Sequence, residues 1–99
     1  MKPRWTRRAL EDLRHLHEYT SQDNPSAADR MVSRIRESVG RLGKHPHLGA
    51  GGRVESTREL VIVGTPYIVV YVEDGGRVQI VAVIHAAMRW PDSFDDEKI

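Results

Sequence analysis

Ninety-nine residues can close only one hydrophobic core, burying roughly 60–65% of the unfolded surface, so two domains are excluded and residues 1–99 are read as a single domain. Hydrophobic residues at 39% and charged residues at 29% describe a globular chain, while the lack of cysteine excludes a disulfide framework, a thiolate metal site and a cysteine nucleophile and suits a reducing cytoplasm. The net charge of +1 divides into −3 on residues 92–99 and +4 on residues 1–91, too weak a cationic field for tight, sequence-independent nucleic-acid binding.

The start, Met1-Lys2-Pro3-Arg4-Trp5, lacks the apolar stretch of a secretory signal, and Trp5 with its neighbours is a candidate short strand. Thr6 then reads as a helix N-cap, with Ala9, Leu13, Leu16 and Thr20 at helical spacing and charged residues on the other side, which predicts an amphipathic helix over about 6–21. Asn24-Pro25 supplies a second cap, and Ala28, Met31, Ile35, Val39 and Leu42 mark a second stripe that stops at Gly43. The short Gln22-Asp23-Asn24 link folds the two helices into an antiparallel hairpin.

Residues 43–53 change character: five glycines and prolines in eleven positions predict a loop. Three apolar strands are expected after it, at about Thr57–Val63, Tyr67–Val72 and Val78–Ile84, joined by Gly64-Thr65-Pro66 and by Glu73–Arg77. Tyr67–Val72 is also the longest apolar run, too short to span a membrane. The expected fold class is therefore α+β, an N-terminal helical hairpin packed on one face of a small antiparallel sheet, with the other face free for function. Strict alternation in the last strand puts Gln79, Val81, Val83 and His85 on that open face, opposite Val78, Ile80, Ala82 and Ile84. The acidic end, 92–99, reads as a mobile tail with Phe94 as its apolar anchor.

Six blocks in order resemble the RelE/ParE toxins of type II toxin–antitoxin systems: Trp5-Thr6-x-x-Ala9-x-x-Asp12-Leu13, Asn24-Pro25-x-Ala27-Ala28, Pro46-x-x-Gly49, Gly52-Arg53-Val54-x-x-Thr57-Arg58-Glu59-Leu60-Val61, Tyr67-x-Val69-Val70-Tyr71 and His85-x-Ala87-x-Arg89-Trp90-Pro91. The resemblance covers about residues 5–91 and is nearer the ParE branch. It implies a small cytoplasmic toxin, hetero-oligomeric with a cognate antitoxin whose C-terminal segment wraps around it, and a macromolecular target. Two targets are open. A ParE-like toxin would inhibit DNA gyrase without catalysis and so stop replication; a RelE-like toxin would cleave mRNA on the ribosome.

Several residues carry the choice. In ribonuclease members of the superfamily an arginine matching Arg58 holds the scissile phosphate, because a planar guanidinium stabilises the charge that develops there. The competing role for Arg58 is a structural ion pair, for instance with Glu59, or contact with an antitoxin carboxylate. His85, whose imidazole can serve as general acid or base, would form with Arg58 and Arg89, and with Glu55 or Glu59 as base, a set for cleaving RNA that remains incomplete. Yet Ala86 and Ala87 stand where a terminal tyrosine is typical, and no lysine lies between Lys44 and Lys98, which favours gyrase over mRNA. Arg53, Arg58, Glu59, His85, Arg89 and Trp90 are the residues expected to bind antitoxin or target, with Trp90 alternatively closing one end of the core. His15 and His17 lie ~200° apart on a helix, and His45 and His47 lack a third ligand, so neither pair predicts a metal, and no motif predicts a cofactor.

Overall fold

The computed structural model describes residues 2–94; the expectation of a mobile tail falls in part on 95–99, outside the described residues. The elements are β1 (Arg4–Trp5), α1 (Arg7–Ser21), α2 (Pro25–Arg41), β2 (Ala50–Gly51), β3 (Arg58–Val61), β4 (Tyr67–Asp74) and β5 (Arg77–His85). Both helices begin as their caps dictate. The hydroxyl of Thr6 accepts the Ala9 N–H at 3.1 Å, and the Asn24 side chain accepts the Ala27 N–H at 3.1 Å with Pro25 in the first turn.

The five strands form one sheet in the order β1-β5-β4-β3-β2. All neighbours are antiparallel except β1 and β5, which run parallel through Arg4↔Gln79 and Trp5↔Ile80. The sheet is therefore mixed, and the all-antiparallel expectation is corrected at one edge: the first strand leads into the helices and pairs with the last. The helices cover one face, where Leu13, Leu16, Ile35, Val39 and Leu42 meet Val69, Tyr71, Val78, Ile80 and Val83 in one buried cluster.

The loop predicted over 43–53 contains β2 and is held from below by a fully buried tyrosine. The Tyr71 hydroxyl donates to the Pro46 carbonyl at 2.8 Å and accepts the Gly49 N–H at 2.9 Å. Gly49 is needed here, since a Cβ would lie 2.8 Å from the Tyr71 ring and 2.7 Å from the Glu59 carbonyl oxygen. β4 and β5 run longer than expected because Gly75 (φ 57°) and Gly76 (φ 86°) form a two-residue turn between Asp74 and Arg77.

The last strand breaks strict alternation. Val70 pairs with Ala82 but Tyr71 pairs with Ile80, so Val81 is the extra residue of a β-bulge. Before it, Val78 and Ile80 face the helices; after it Val83 does, while Ala82 and Ile84 join Val70 in a second cluster on the far face. Trp90 and Phe94 pack on that cluster. The expectation of a free second face is thus corrected: Trp90 and Phe94, from the segment after β5, cover its β4–β5 portion, leaving Val61 exposed beside it.

The bulge is held by the start of α1. Thr6 donates its N–H to Ile80 O at 3.0 Å and its hydroxyl to Val81 O at 3.4 Å, and Asp12 accepts the Val83 N–H at 3.0 Å. These bonds satisfy the outer edge of β5 beyond the point where two-residue β1 ends, a place where backbone groups would otherwise be unpaired.

Candidate functional site

The bulge decides where His85 goes. It pairs with Tyr67, whose ring packs on the helix-side core, and the two rings meet edge to face at 5.4 Å. His85 therefore lies on the helix side, correcting its expected place on the open face. Its Nδ1 accepts the Ala87 N–H at 3.0 Å, so the neutral ring carries its hydrogen on Nε2 and presents a donor there.

His85 and Arg89 share a groove of about 670 Å³ between α1 and the end of β5. Its helix wall is Arg8, Asp12, His15 and Tyr19, spaced i, i+4, i+7 and i+11 on one stripe beside the core stripe; Tyr67, Met88 and Ala87 complete it. Tyr19 and Met88 are largely exposed, at 72% and 64%. Burial raises the Asp12 pKa above the ordinary carboxylate value, an effect opposed by the Val83 N–H and by Arg8. Burial, and then the nearby Tyr19, raise that of Tyr67, so its phenol stays protonated at neutral pH. The groove offers donors, aromatic edges and thioether surface. Its one carboxylate is committed to Val83 and to Arg8 at 3.7 Å.

Arg58 is elsewhere. It pairs with Tyr71 on one side of β4, whereas His85 pairs with Tyr67 on the other, four residues along. At ~3.3 Å per residue and ~4.8 Å per strand, their Cα atoms are on the order of 15 Å apart. The Arg58 guanidinium points away from His85, donating to the Gly49 carbonyl at 2.8 Å. It thus helps Tyr71 fasten the 46–49 loop. The ion pair with Glu59 expected as its structural role belongs instead to Arg53, whose Nε lies 3.2 Å from Glu59 Oε2.

Arg53, Glu59 and Trp90 form a third group. Glu59 receives the Arg53 backbone N–H at 2.7 Å as well as its side chain, and the Arg53 guanidinium lies 3.7 Å from the centre of the Trp90 ring. Trp90 Nε1 is buried and has no acceptor among the described residues. The six residues singled out in the sequence thus occupy three places, and the expected gathering of Arg53, Arg58 and Arg89 on one open surface is corrected: each guanidinium serves a different neighbourhood. Arg8, His15, Tyr19, Tyr67 and Met88 were missed, although the stripe Arg8-Asp12-His15-Tyr19 is legible as helical spacing. Among the described residues no three side chains of ligand type come together; His17 bonds Asp29 and His47 bonds Glu73.

Residues 4–90 match the sequence model of the ParE toxin of type II toxin–antitoxin systems, parDE. The chain belongs to the ParE toxin family. Relatives of this ParE-family chain include toxin Y4kP of Sinorhizobium fredii, 44% identical over 88 residues that cover 89% of this chain and 91% of the relative. Toxin RelE2 of Caulobacter vibrioides is 40% identical over 83 residues, covering 84% and 92%. A solved structure, the chromosomal ParDE TA system from P. aeruginosa, superposes with a TM-score of 0.75 at 26% identity, covering 86% of this chain and 95% of that one. The ParE family's two helices and five-stranded mixed sheet are the architecture described above.

Proposed function

We propose that this ParE-family toxin acts by binding DNA gyrase in the cytoplasm, halting replication, and that a cognate antitoxin holds it inactive. The observation that carries the non-catalytic reading is the separation of Arg58 from His85 and Arg89. Cleavage through a 2′-hydroxyl needs base, acid and phosphate-binding cation around one phosphate, and here the cation is tied to Gly49 at the far side of β4. Recognition of a protein surface needs only a shaped patch, and the groove beside α1 supplies one, with Tyr19, Met88 and Arg89 outermost. Arg53, Glu59 and Trp90 border the far face and belong to the antitoxin- or target-binding residues of the same reading. No helix among the described residues is long and apolar enough to cross a membrane.

The test is a supercoiling assay with purified toxin and gyrase. Inhibition at micromolar toxin, reversed by the protein encoded next to it, is the expected result; untouched gyrase at that concentration sinks the proposal. Ribosome-dependent mRNA cleavage keeps one specific support, the shared groove of His85 and Arg89. It predicts periodic cuts in translated messages by primer extension after induction, which His85→Ala would abolish.

A further inference from the structure

Where the approach to β1 meets the end of α2, the surface opens into a groove of about 720 Å³ that shares no residue with the groove beside α1. Lys2, Pro3 and Trp5 line one side, and Arg36, Gly40 and Lys44 line the other. Gly40 keeps it open, since even a Cβ there would meet nothing within 4 Å. The rim is cationic. Lys2, Arg36 and Lys44 are exposed, no carboxylate lines the groove, and none of the three forms a salt bridge among the described residues. Glu37, the acidic neighbour of Arg36, lines a different groove across α2. The carbonyls that end α2 oppose an anion little, because those of Val39, Gly40 and Arg41 accept the N–H groups of Leu42, Gly43 and Lys44.

The floor is aromatic. Val39 is buried, so the apolar surface left to a ligand is the half-buried indole of Trp5 with Pro3 beside it. Trp5 packs on the helix-side core, which fixes its ring, and the Arg36 guanidinium lies 5.8 Å from the ring centre. An anchored indole among unpaired cations suits an unstacked base whose neighbouring phosphates meet the charges. Arg36 and Lys44 are eight residues apart on and just beyond a helix, roughly 12 Å by axial rise, or about three to four nucleotide rises along one strand. We infer that this groove binds a short single-stranded segment of nucleic acid, one base resting on Trp5 and adjacent phosphates on Lys2, Arg36 and Lys44.

Other anions fit less well. A duplex keeps its bases stacked, away from a recessed indole. An acidic peptide added as a strand would find β1 only two residues long and preceded by Pro3, which has no N–H, so main-chain pairing would contribute little. A free nucleotide would lack a phosphate cradle, because the groove lies at the C-terminal end of α2, away from the open N–H groups of a helix N-terminus. With only +4 over residues 1–91, binding is local and weak, a Kd on the order of 10–100 µM. Such a contact counts where a partner macromolecule presents the strand at high effective concentration.

The experiment titrates the purified full chain with a labelled thymidine oligomer of about ten nucleotides, its duplex with an adenine strand, a nucleoside triphosphate and a poly-glutamate peptide. Anisotropy should show the single strand binding about fivefold tighter than the others, its affinity falling against salt with a log–log slope of about −2, as three phosphate contacts require. Trp90→Phe leaves Trp5 as the sole tryptophan, and the single strand should quench its fluorescence. Gly40→Glu puts a carboxylate on the floor where a Cβ meets nothing, so the urea midpoint should hold while binding weakens about tenfold. Lys44→Ala should reduce the salt slope by about 0.7. No binding at low salt overturns the inference, as does a duplex or triphosphate that matches the oligomer. Poly-glutamate that quenches Trp5 equally overturns it in favour of an acidic peptide. Strand binding unchanged in both Gly40→Glu and Lys44→Ala places the strand elsewhere and overturns it too. Each of these leaves the gyrase reading, which rests on the groove beside α1, standing.

Discussion

Two carboxylates respond to acid in opposite directions, and each reports a contact that shapes the fold. Burial raises the Asp12 pKa above its ordinary 3.8, so its contribution to stability is fullest below that value and is lost as pH rises through the higher folded value. The Gly76 N–H at 2.9 Å, and then His47, lower that of Glu73 below its ordinary 4.5. Its contribution is present above 4.5 and is lost as pH falls through the lower folded value. Asp12→Asn retains an acceptor for Val83 and removes the buried charge, so it should gain on the parent as pH rises from below 3.8. Glu73→Gln should fall behind the parent over the range where Glu73 ionises, and match it in stronger acid. Urea midpoints measured across a pH series decide both, and a pH-independent offset for either variant contradicts its assignment.

Individual elements were legible to different depths. Caps and apolar spacing placed both helices within a residue or two, because Thr6, Asn24 and Pro25 act locally. The β4–β5 turn lengthened both strands beyond their apolar cores, since Asp74 and Arg77 pair for the sake of two left-handed glycines and not for burial. Gly76→Ala, placed at φ 86°, should cost roughly 1–2 kcal/mol in urea unfolding. A change below a few tenths would show that the turn relaxes. The bulge was not legible. Val81, Val83 and their even-numbered neighbours are all apolar, so nothing in the pattern marks the change of face; the signal is long-range, in Thr6 and Asp12 more than seventy residues earlier. β1 was anticipated as a strand, but two residues carry no information on direction. The candidate site suffered accordingly, since the position of His85 follows from the bulge and that of Arg58 from a carbonyl nine residues upstream.

For the molecule as a whole, the segment after β5 acts as a second, thin layer. Trp90 covers Val70, Ala82 and Ile84, with Arg53 upon it, and Phe94 continues the cover, its ring 4.9 Å from the Arg8 guanidinium. Trp90→Ala should uncover this cluster, costing roughly 2–4 kcal/mol and raising binding of a hydrophobic dye. Trp90→Phe, which discards a buried N–H with no acceptor among the described residues, should be close to neutral. Equal losses in the two variants would mean that the indole nitrogen is satisfied after all. Most of the blocks that marked the family are thus scaffold: Pro46, Gly49 and Tyr71 fasten a loop, Thr6 and Asp12 fasten a strand.

The pairing of β1 with β5, together with the Thr6 and Asp12 bonds to the bulge, bears on how the protein comes off the ribosome. The helical hairpin is made first, but its apolar stripe, Ala9, Leu13 and Leu16, has no floor until the chain reaches His85. Contacts of such sequence separation form late, and the opening residues wait for β5. A message broken or frameshifted before that codon would yield a polypeptide without its closing strand and hence without a finished surface. The toxin fold is on this account complete only once β5 has been made.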